Sequence, residues 1–165
     1  MPQIVAGSIS GIGRRGENRG KAMASELETT NRETTERIWE LINNDDLDGL
    51  DDVLAEEVVL RQPGEEEIRG IDGYKETIQT YKKSFPDMTA DVHEMFVDGD
   101  VVVTHYSSSG THEGAFEGIE ATGNTVEIPG MTINRFEDGK AVEDINYWDN
   151  LDFFAQLGVL EPPTS

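Results

Sequence analysis

One carboxylate near the C-terminal end of the sequence has the surroundings of a proton-transfer group. Asp149 closes the segment VEDINYWD (142–149), whose residue types predict a β-strand. Because side chains alternate between the two faces of a strand, Asp149 shares one face with Glu143, Ile145 and Tyr147. The opposite face carries Asp144, Asn146 and Trp148. A carboxylate among apolar groups has its charged form desolvated, which raises its pKa toward neutral pH, so Asp149 is predicted to act as a general acid and base.

Three further side chains could stabilise negative charge on a substrate oxygen: Arg135, His105 and His112. All four candidates could equally have a purely structural role. Asp149 can cap the helix that follows it, since Asp is a favoured N-cap residue. Arg135 can pair with Glu127 across a surface. His105 lies on a valine-rich strand and can be a core histidine, whereas His112 can bond the backbone of a turn. The residue pattern leaves both roles open.

Metal sites and covalent nucleophiles find little support in the sequence. The three histidines do not show a compact ligand spacing such as H-E-x-x-H: His93, His105 and His112. The serine run at 107–109 lacks the G-x-S-x-G elbow of a hydrolase nucleophile. The chain contains no cysteine, which excludes thiol catalysis and disulfides. We therefore expect no catalytic metal.

A glycine-rich stretch near the N-terminus, AGSISGIGRR (6–15), resembles a dinucleotide-binding loop. That loop functions between a strand and a helix packed on the sheet, with an acidic residue about 20 residues further on. The residues after Gly13, RRGENRGKAMAS, offer no apolar stripe for such packing. We therefore predict no dinucleotide cofactor.

The strongly acidic composition limits the partners of the protein. Its 34 acidic and 13 basic residues give a formal net charge of −21. Such a surface repels phosphate backbones and anionic membranes, so neither nucleic acid nor a membrane is expected to bind. Molar salt shortens the Debye length to about 3 Å and removes most of the self-repulsion. A halophilic host is therefore our hypothesis.

The N-terminal segment differs from the rest of the chain because it is basic and rich in glycine and serine. We predict a flexible basic tail over residues 1–28, one folded domain over 29–160, and a short C-terminal tail over 161–165. The first 22 residues lack the apolar segment of a signal peptide, and no apolar run is long enough to span a bilayer. A cytoplasmic location is the expectation.

Within the folded domain, helical patterns come first and strand patterns follow. Helices are predicted from Thr30 to about Asn43, over DDLDGLDDVLAEEV (45–58) and over GIDGYKETIQTYKKSF (70–85), with a short strand before Pro63. Beyond Pro86 the sequence predicts two β-hairpins, which turn at Asp-Gly pairs (98–99 and 138–139). LDFFAQLGVL (151–160) predicts a closing short helix. This order indicates the α+β class.

From about residue 30 to 160, the sequence resembles the SnoaL-like polyketide cyclases of the nuclear-transport-factor-2-like superfamily. The matching segments are FPD (85–87), DGDVVV (98–103), GTHEGAFEG (110–118), ATGNTVEIPG (121–130), NRFEDGKAVED (134–144) and an aspartate spaced before QLG (149–158). The resemblance implies a cone-shaped α+β barrel, in which N-terminal helices pack on a curved, mixed but mainly antiparallel sheet. It also implies an apolar cavity and a homodimer.

Enzymes of this family close a ring by intramolecular aldol condensation without a cofactor, and Asp149 matches their catalytic aspartate. Two positions depart from the family pattern, since Ile145 replaces a usual tryptophan and His105 a common arginine. The side chains expected to bind substrate are His112, Phe116, Met131, Trp148, Tyr147 and Phe85.

The predicted function is a cofactor-independent cyclase or isomerase that acts on a small, mostly apolar carbonyl compound. One alternative is a non-catalytic protein that binds a hydrophobic ligand in the same cavity. Another is epoxide hydrolysis, which needs an Asp-Arg-Asp group around a water molecule. Asp149 and Arg135 could supply two members of that group, but the sequence offers no clear second aspartate.

Overall fold

The computed structural model describes residues 12–160, with side chains from residue 18 onward. Within this range the chain forms four α-helices and six β-strands. In chain order they are α1 (Ile12–Asn43), α2 (Leu50–Val53), β1 (Leu54–Arg61), β2 (Ile68–Arg69), α3 (Ile71–Ser84), β3 (Thr89–Asp98), β4 (Val101–Thr111), β5 (Thr125–Glu137), β6 (Lys140–Trp148) and α4 (Asn150–Leu157).

The six strands form one mixed, mainly antiparallel sheet in the order β2-β1-β6-β5-β4-β3. Only β1 and β6 pair in parallel, and the other neighbours are antiparallel. The predicted α+β class and sheet type are therefore confirmed. The sheet does not close into a barrel, because β2 and β3 remain as its two edges.

Both predicted hairpins form at the Asp-Gly pairs. Gly99 turns β3 into β4 with a φ of 59°, and Asp138 and Gly139 turn β5 into β6 with φ of 49° and 78°. Positive φ favours glycine and tolerates aspartate, which explains why these dipeptides mark the turns. The hairpins pair β3 with β4 and β5 with β6, and β4 and β5 also pair over eleven positions, so these four strands lie side by side.

The helices cover the inner face of this sheet. Ile38 and Leu41 of α1 and Tyr74 and Ile78 of α3 are buried, at spacings that put each pair on one side of its helix. They form the first apolar cluster with inward residues of the strands. A second cluster, closed by α4, contains Phe85, Phe116, Val126, Ile128, Phe153 and Leu157.

The first helix is longer than the sequence pattern predicts. It begins at Ile12 rather than at Thr30, although residues 18–27 are all exposed to solvent. Strong helix formers in KAMASELE (21–28) can extend a helix that is already nucleated on the sheet. Residues 1–11, which hold most of the glycine-rich stretch, and the predicted tail at 161–165 lie outside the described residues. No helix in the described range is long and apolar enough to cross a membrane.

Candidate functional site

A cavity of about 170 Å³ lies between α1, α3 and the inner face of the sheet. Most of its lining is apolar or aromatic, as is typical of small-molecule sites. The apolar contributions include Ile38 and Trp39 from α1, Ile78 from α3, and Val126 and Ile128 from β5. A smaller polar part of the wall comes from β4, β5, β6 and α3 and from the residue after β1: Ser108, Ser109, Asn134, Asp144, Asn146, Thr77, Gln62 and the tyrosines.

Asp144 of β6 is the buried carboxyl group on this polar part of the wall. It is only 4% exposed, and it accepts hydrogen bonds from the hydroxyl of Tyr74 (2.7 Å) and Nδ2 of Asn146 (2.9 Å). Burial raises the pKa of Asp144 to about 6, and hydrogen bonds from Tyr74, Asn134 and Asn146 lower it in part. The carboxyl group can therefore both take up and release a proton near neutral pH.

The sheet register explains how these groups meet. Asp144 lies between Leu60 of β1 and Asn134 of β5 on adjacent strands, so all three point to the inner face. Tyr74 lies in the first turn of α3, which packs over β1 and brings its hydroxyl down to the carboxylate. Burial, followed by the nearby charge of Asp144, raises the pKa of Tyr74 well above its ordinary value, so the phenol stays a donor.

Two other tyrosines, Tyr81 and Tyr106, line the cavity, and their hydroxyls are free to bind a ligand. Burial raises the pKa of both Tyr81 and Tyr106, which keeps them protonated at neutral pH. Within the described residues, neither hydroxyl has a hydrogen-bonding partner in the protein. Tyr106 packs on Trp39 at 4.7 Å between ring centroids, and it lies across Gly130, where a Cβ atom would come 2.6 Å from its ring.

Four of the predicted site residues lie at or behind this cavity. Phe85 and Trp148 line it directly. His112 and Phe116 are buried behind Phe85, with ring centroids 5.1 Å and 5.8 Å from it.

His112 makes the turn-stabilising contacts expected of a structural histidine. Its Nδ1 accepts the backbone N–H of Thr122 (3.2 Å) and contacts the hydroxyl of Thr122 (3.0 Å). An accepting Nδ1 places the proton of the neutral ring on Nε2. Within the described residues Nε2 has no partner, and His112 does not line the cavity.

Asp149 lies outside the cavity. It is exposed and caps α4, with Oδ1 accepting the backbone N–H of Asp152 at 3.0 Å. The expectation that Asp149 is desolvated among apolar groups is therefore wrong. The alternation predicted for this strand is correct, but the cavity lies on the opposite face, which carries Asp144, Asn146 and Trp148.

Four other candidate residues lie on the outer face of the sheet, on the side away from the cavity. Met131 and Tyr147 are 46% and 60% exposed on the outer side of the sheet. His105 contacts His93 there, with ring centroids 5.1 Å apart. Arg135 donates to Glu143 at 2.9 Å instead of pairing with Glu127. None of these four lines the cavity, and Arg135 and Asp149 do not form the core of an epoxide hydrolase site.

Asp144 and Tyr74 are the functional candidates that the sequence analysis missed. Asp144 was visible in the alternation, on a face shared with Asn146 and Trp148. Tyr74 shows only the spacing of a core residue on a helix, and nothing local links it to residue 144. In the part of the chain that the structure describes, no three His, Asp or Glu side chains are grouped so that they could hold a metal ion.

Comparisons with known proteins agree with this architecture. A family model described as SnoaL-like polyketide cyclase matches residues 32–157. A structure from Jannaschia sp. CCS1, named as a SnoaL-like polyketide cyclase, is 23% identical with a TM-score of 0.76, covering 83% of this chain and 96% of that one. TsrD from Streptomyces laurentii is 27% identical with a TM-score of 0.72, and the match covers 80% of this chain and 97% of that one. IdmH from Streptomyces antibioticus is 33% identical with a TM-score of 0.68, and the match covers 78% of this chain and 99% of that one. No curated protein sequence matches the chain.

Proposed function

The chain belongs to the SnoaL-like polyketide cyclase family, and we propose that it catalyses aldol-type ring closure on a small, mostly apolar carbonyl compound, without a cofactor. Asp144, rather than Asp149, is the general base and acid of this proposal. The observation that carries it is a carboxyl group with a pKa of about 6 on the wall of an apolar cavity. A base whose pKa lies near the working pH is largely ionised and still has a high affinity for protons.

The hydrogen bonds of Asp144 support a role beyond packing. A carboxylate offers about four acceptor positions. Tyr74 donates to one oxygen of the carboxylate and Asn146 to the other, which leaves acceptor positions free for a substrate proton. These two donors also hold the carboxylate in one orientation, so that little reorganisation is needed when the proton moves.

The proposed reaction needs only this one proton carrier. The ionised Asp144 takes a proton from the carbon next to a ketone, and the electron pair of the C–H bond moves onto the ketone oxygen as an enolate. The enolate carbon then forms a bond to a second carbonyl carbon of the same molecule, whose π electrons become an alkoxide. The alkoxide takes the proton back from Asp144, which restores the carboxylate.

Neutral phenols are suited to stabilise the enolate oxygen. Tyr106 faces the cavity, and the charge of Asp144 contributes to its raised pKa, so the two groups lie near each other. A protonated hydroxyl without a protein partner can donate to developing negative charge in a site that excludes water. Tyr106 takes the place of Arg135, His105 and His112, the donors expected from the sequence.

The proposal is tested by proton exchange on a simple ketone. We expect wild-type protein to accelerate deuterium incorporation from D₂O at the α-carbon of 2-tetralone, followed by NMR. Asp144→Asn keeps the shape of the side chain and removes the base, so the acceleration should fall at least about 100-fold. The matched control is Asp149→Asn, which keeps an N-cap residue and should retain exchange within about threefold.

The possible outcomes identify the catalytic base and distinguish catalysis from ligand binding. Exchange that survives in Asp144→Asn contradicts the assignment of the base, and exchange lost only in Asp149→Asn returns the role to the exposed carboxylate. Wild-type protein that binds 2-tetralone without accelerating exchange would indicate the ligand-binding alternative.

A further inference from the structure

We propose that Gln62 is a specificity-determining residue that accepts a hydrogen bond from an uncharged hydroxyl group of the substrate. The inference rests on the proposed function and adds to it the class of substrate, a hydroxylated neutral carbonyl compound. The hydroxyl held at Gln62 orients the molecule so that its acidic C–H faces Asp144.

Gln62 follows directly after β1 and lines the cavity. Its Oε1 is buried and, among the described residues, has no hydrogen-bond donor. Leu60 pairs with Asp144 and Arg61 with Ile145 in the parallel register. Gln62 therefore continues the same inward side as Leu60, two residues further along, and at the level of Asn146. Two residues of a strand span about 7 Å, so Gln62 lies about that far along the strand direction from the level of Asp144.

Neighbouring contacts fix the chain at this point. Nδ2 of Asn150 donates to the carbonyl oxygen of Pro63 at 3.0 Å, next to Gln62. Oδ1 of Asn150 accepts from Nε1 of Trp148 at 2.6 Å, and Trp148 also lines the cavity. Asn150 therefore links the end of β1 to the end of β6. These two hydrogen bonds hold the backbone next to Gln62 in place.

An unpaired buried acceptor favours one kind of ligand group. A hydroxyl needs a single acceptor, whereas an ammonium group brings three donors, and Tyr74 and Asn146 already donate to Asp144. The cavity lining within the described residues contains no lysine or arginine, so a carboxylate or phosphate on the ligand would be buried unpaired. A site with a buried acceptor rejects analogues that lack the hydroxyl, because the acceptor then stays unpaired.

Two probes of nearly equal size test this role by titration calorimetry at pH 7. 2-Naphthol carries a hydroxyl where 2-methylnaphthalene carries a methyl group. We expect wild-type protein to bind 2-naphthol more tightly by about tenfold or more, since the methyl group leaves the acceptor unpaired. In Gln62→Met the ratio of the two affinities should fall to about threefold or less, while the affinity for 2-methylnaphthalene is kept.

Two control variants separate the loss of the acceptor from a change in cavity shape or in the carboxylate. Ile78→Met alters the same cavity without removing a polar atom, so it should change both affinities alike and leave their ratio as in wild type. Asp144→Asn should also keep the preference for 2-naphthol. A preference that persists in Gln62→Met, or one lost in Asp144→Asn alone, overturns the proposal. Wild-type protein that binds 2-naphthol no better than 2-methylnaphthalene overturns it as well. These readouts are binding ratios, so they can fail while the exchange assay on 2-tetralone succeeds.

Discussion

At the scale of single residues, two aspartates five positions apart have opposite surroundings. Asp144 is buried against a cavity and accepts hydrogen bonds from Tyr74 and Asn146, and its pKa rises to about 6 because burial disfavours its charged form. Asp149 is exposed and bonds the backbone at the start of α4. The same side chain therefore serves as a proton-carrier candidate in one place and as a helix cap in the other, and environment decides between them.

The raised pKa of Asp144 predicts a distinct effect of pH on stability. Between its ordinary value of 3.8 and about 6, the folded protein keeps a proton that the unfolded chain has released. Asp144 therefore makes folding less favourable as pH rises through this window, by about 3 kcal/mol across the whole window.

Urea unfolding of wild type and Asp144→Asn from pH 4 to 7.5 measures this contribution. The free energy of unfolding of wild type, minus that of the variant, should fall by about 2.4 kcal/mol over this pH range, because every other acid titrates in both proteins. Parallel curves would show that burial does not shift the pKa of Asp144.

At the scale of elements, the position of the site is set by how helices meet the sheet. β6 supplies Asp144, Asn146 and Trp148, and α3 supplies Tyr74. α1 reaches the sheet through Asn31, whose Nδ2 donates to the carbonyl oxygen of Gly99 at 3.0 Å. On the N-terminal side of Glu28, the side chains of α1 are exposed from residue 18 onward, so this part of the helix contributes little to the core.

We expect deletion of residues 1–22 to leave the fold and the cavity intact. The free energy of unfolding should change by less than about 1 kcal/mol, since the described side chains of this segment, from residue 18 onward, are exposed and such positions contribute little. Asn31→Ala in the same helix is the matched comparison, because it removes a fully buried side chain that bonds the β3–β4 turn and should cost about 1–3 kcal/mol. A larger loss on truncation than in Asn31→Ala would show that the N-terminal part of α1 supports the domain.

At the scale of the whole molecule, the outer face of the sheet carries an apolar row. Phe96, Val103, Ile133 and Ile145 lie opposite one another across four strands. Phe96 is 61% exposed, and Met131 and Tyr147 extend the row with large exposed side chains. Exposed apolar patches of this kind mark interaction sites. We propose that a second copy of the chain covers this face and forms a homodimer.

Light scattering with size-exclusion chromatography tests the dimer. We expect a dimer in 2 M KCl, because salt screens the repulsion between copies that each carry a net charge of −21, and a shift toward monomer in dilute buffer. Phe96→Ser should give a monomer in both. Leu151→Ser changes a comparably exposed residue on α4, so it should leave the dimer unchanged. A wild-type monomer in molar KCl would contradict the proposal.

Much of the fold could be predicted locally. The Asp-Gly hairpins, α3 and α4 follow from turn chemistry and from apolar periodicity within short windows. The two-residue strand β2 and the start of α1 were not predictable in this way. Ile68 and Arg69 form a strand only because β1 offers them partners, and α1 extends beyond its packed part because a formed helix lengthens at little cost.

The sequence by itself determined most of the elements and their order, the family and the alternation along VEDINYWD. Tertiary structure alone decided which face of that strand borders the cavity. Alternation divides a strand into two sets but does not name the inner one, since that depends on where α1 and α3 pack over the sheet. Their packing turned Asp144 toward the cavity and left Asp149 in water, where it caps a helix.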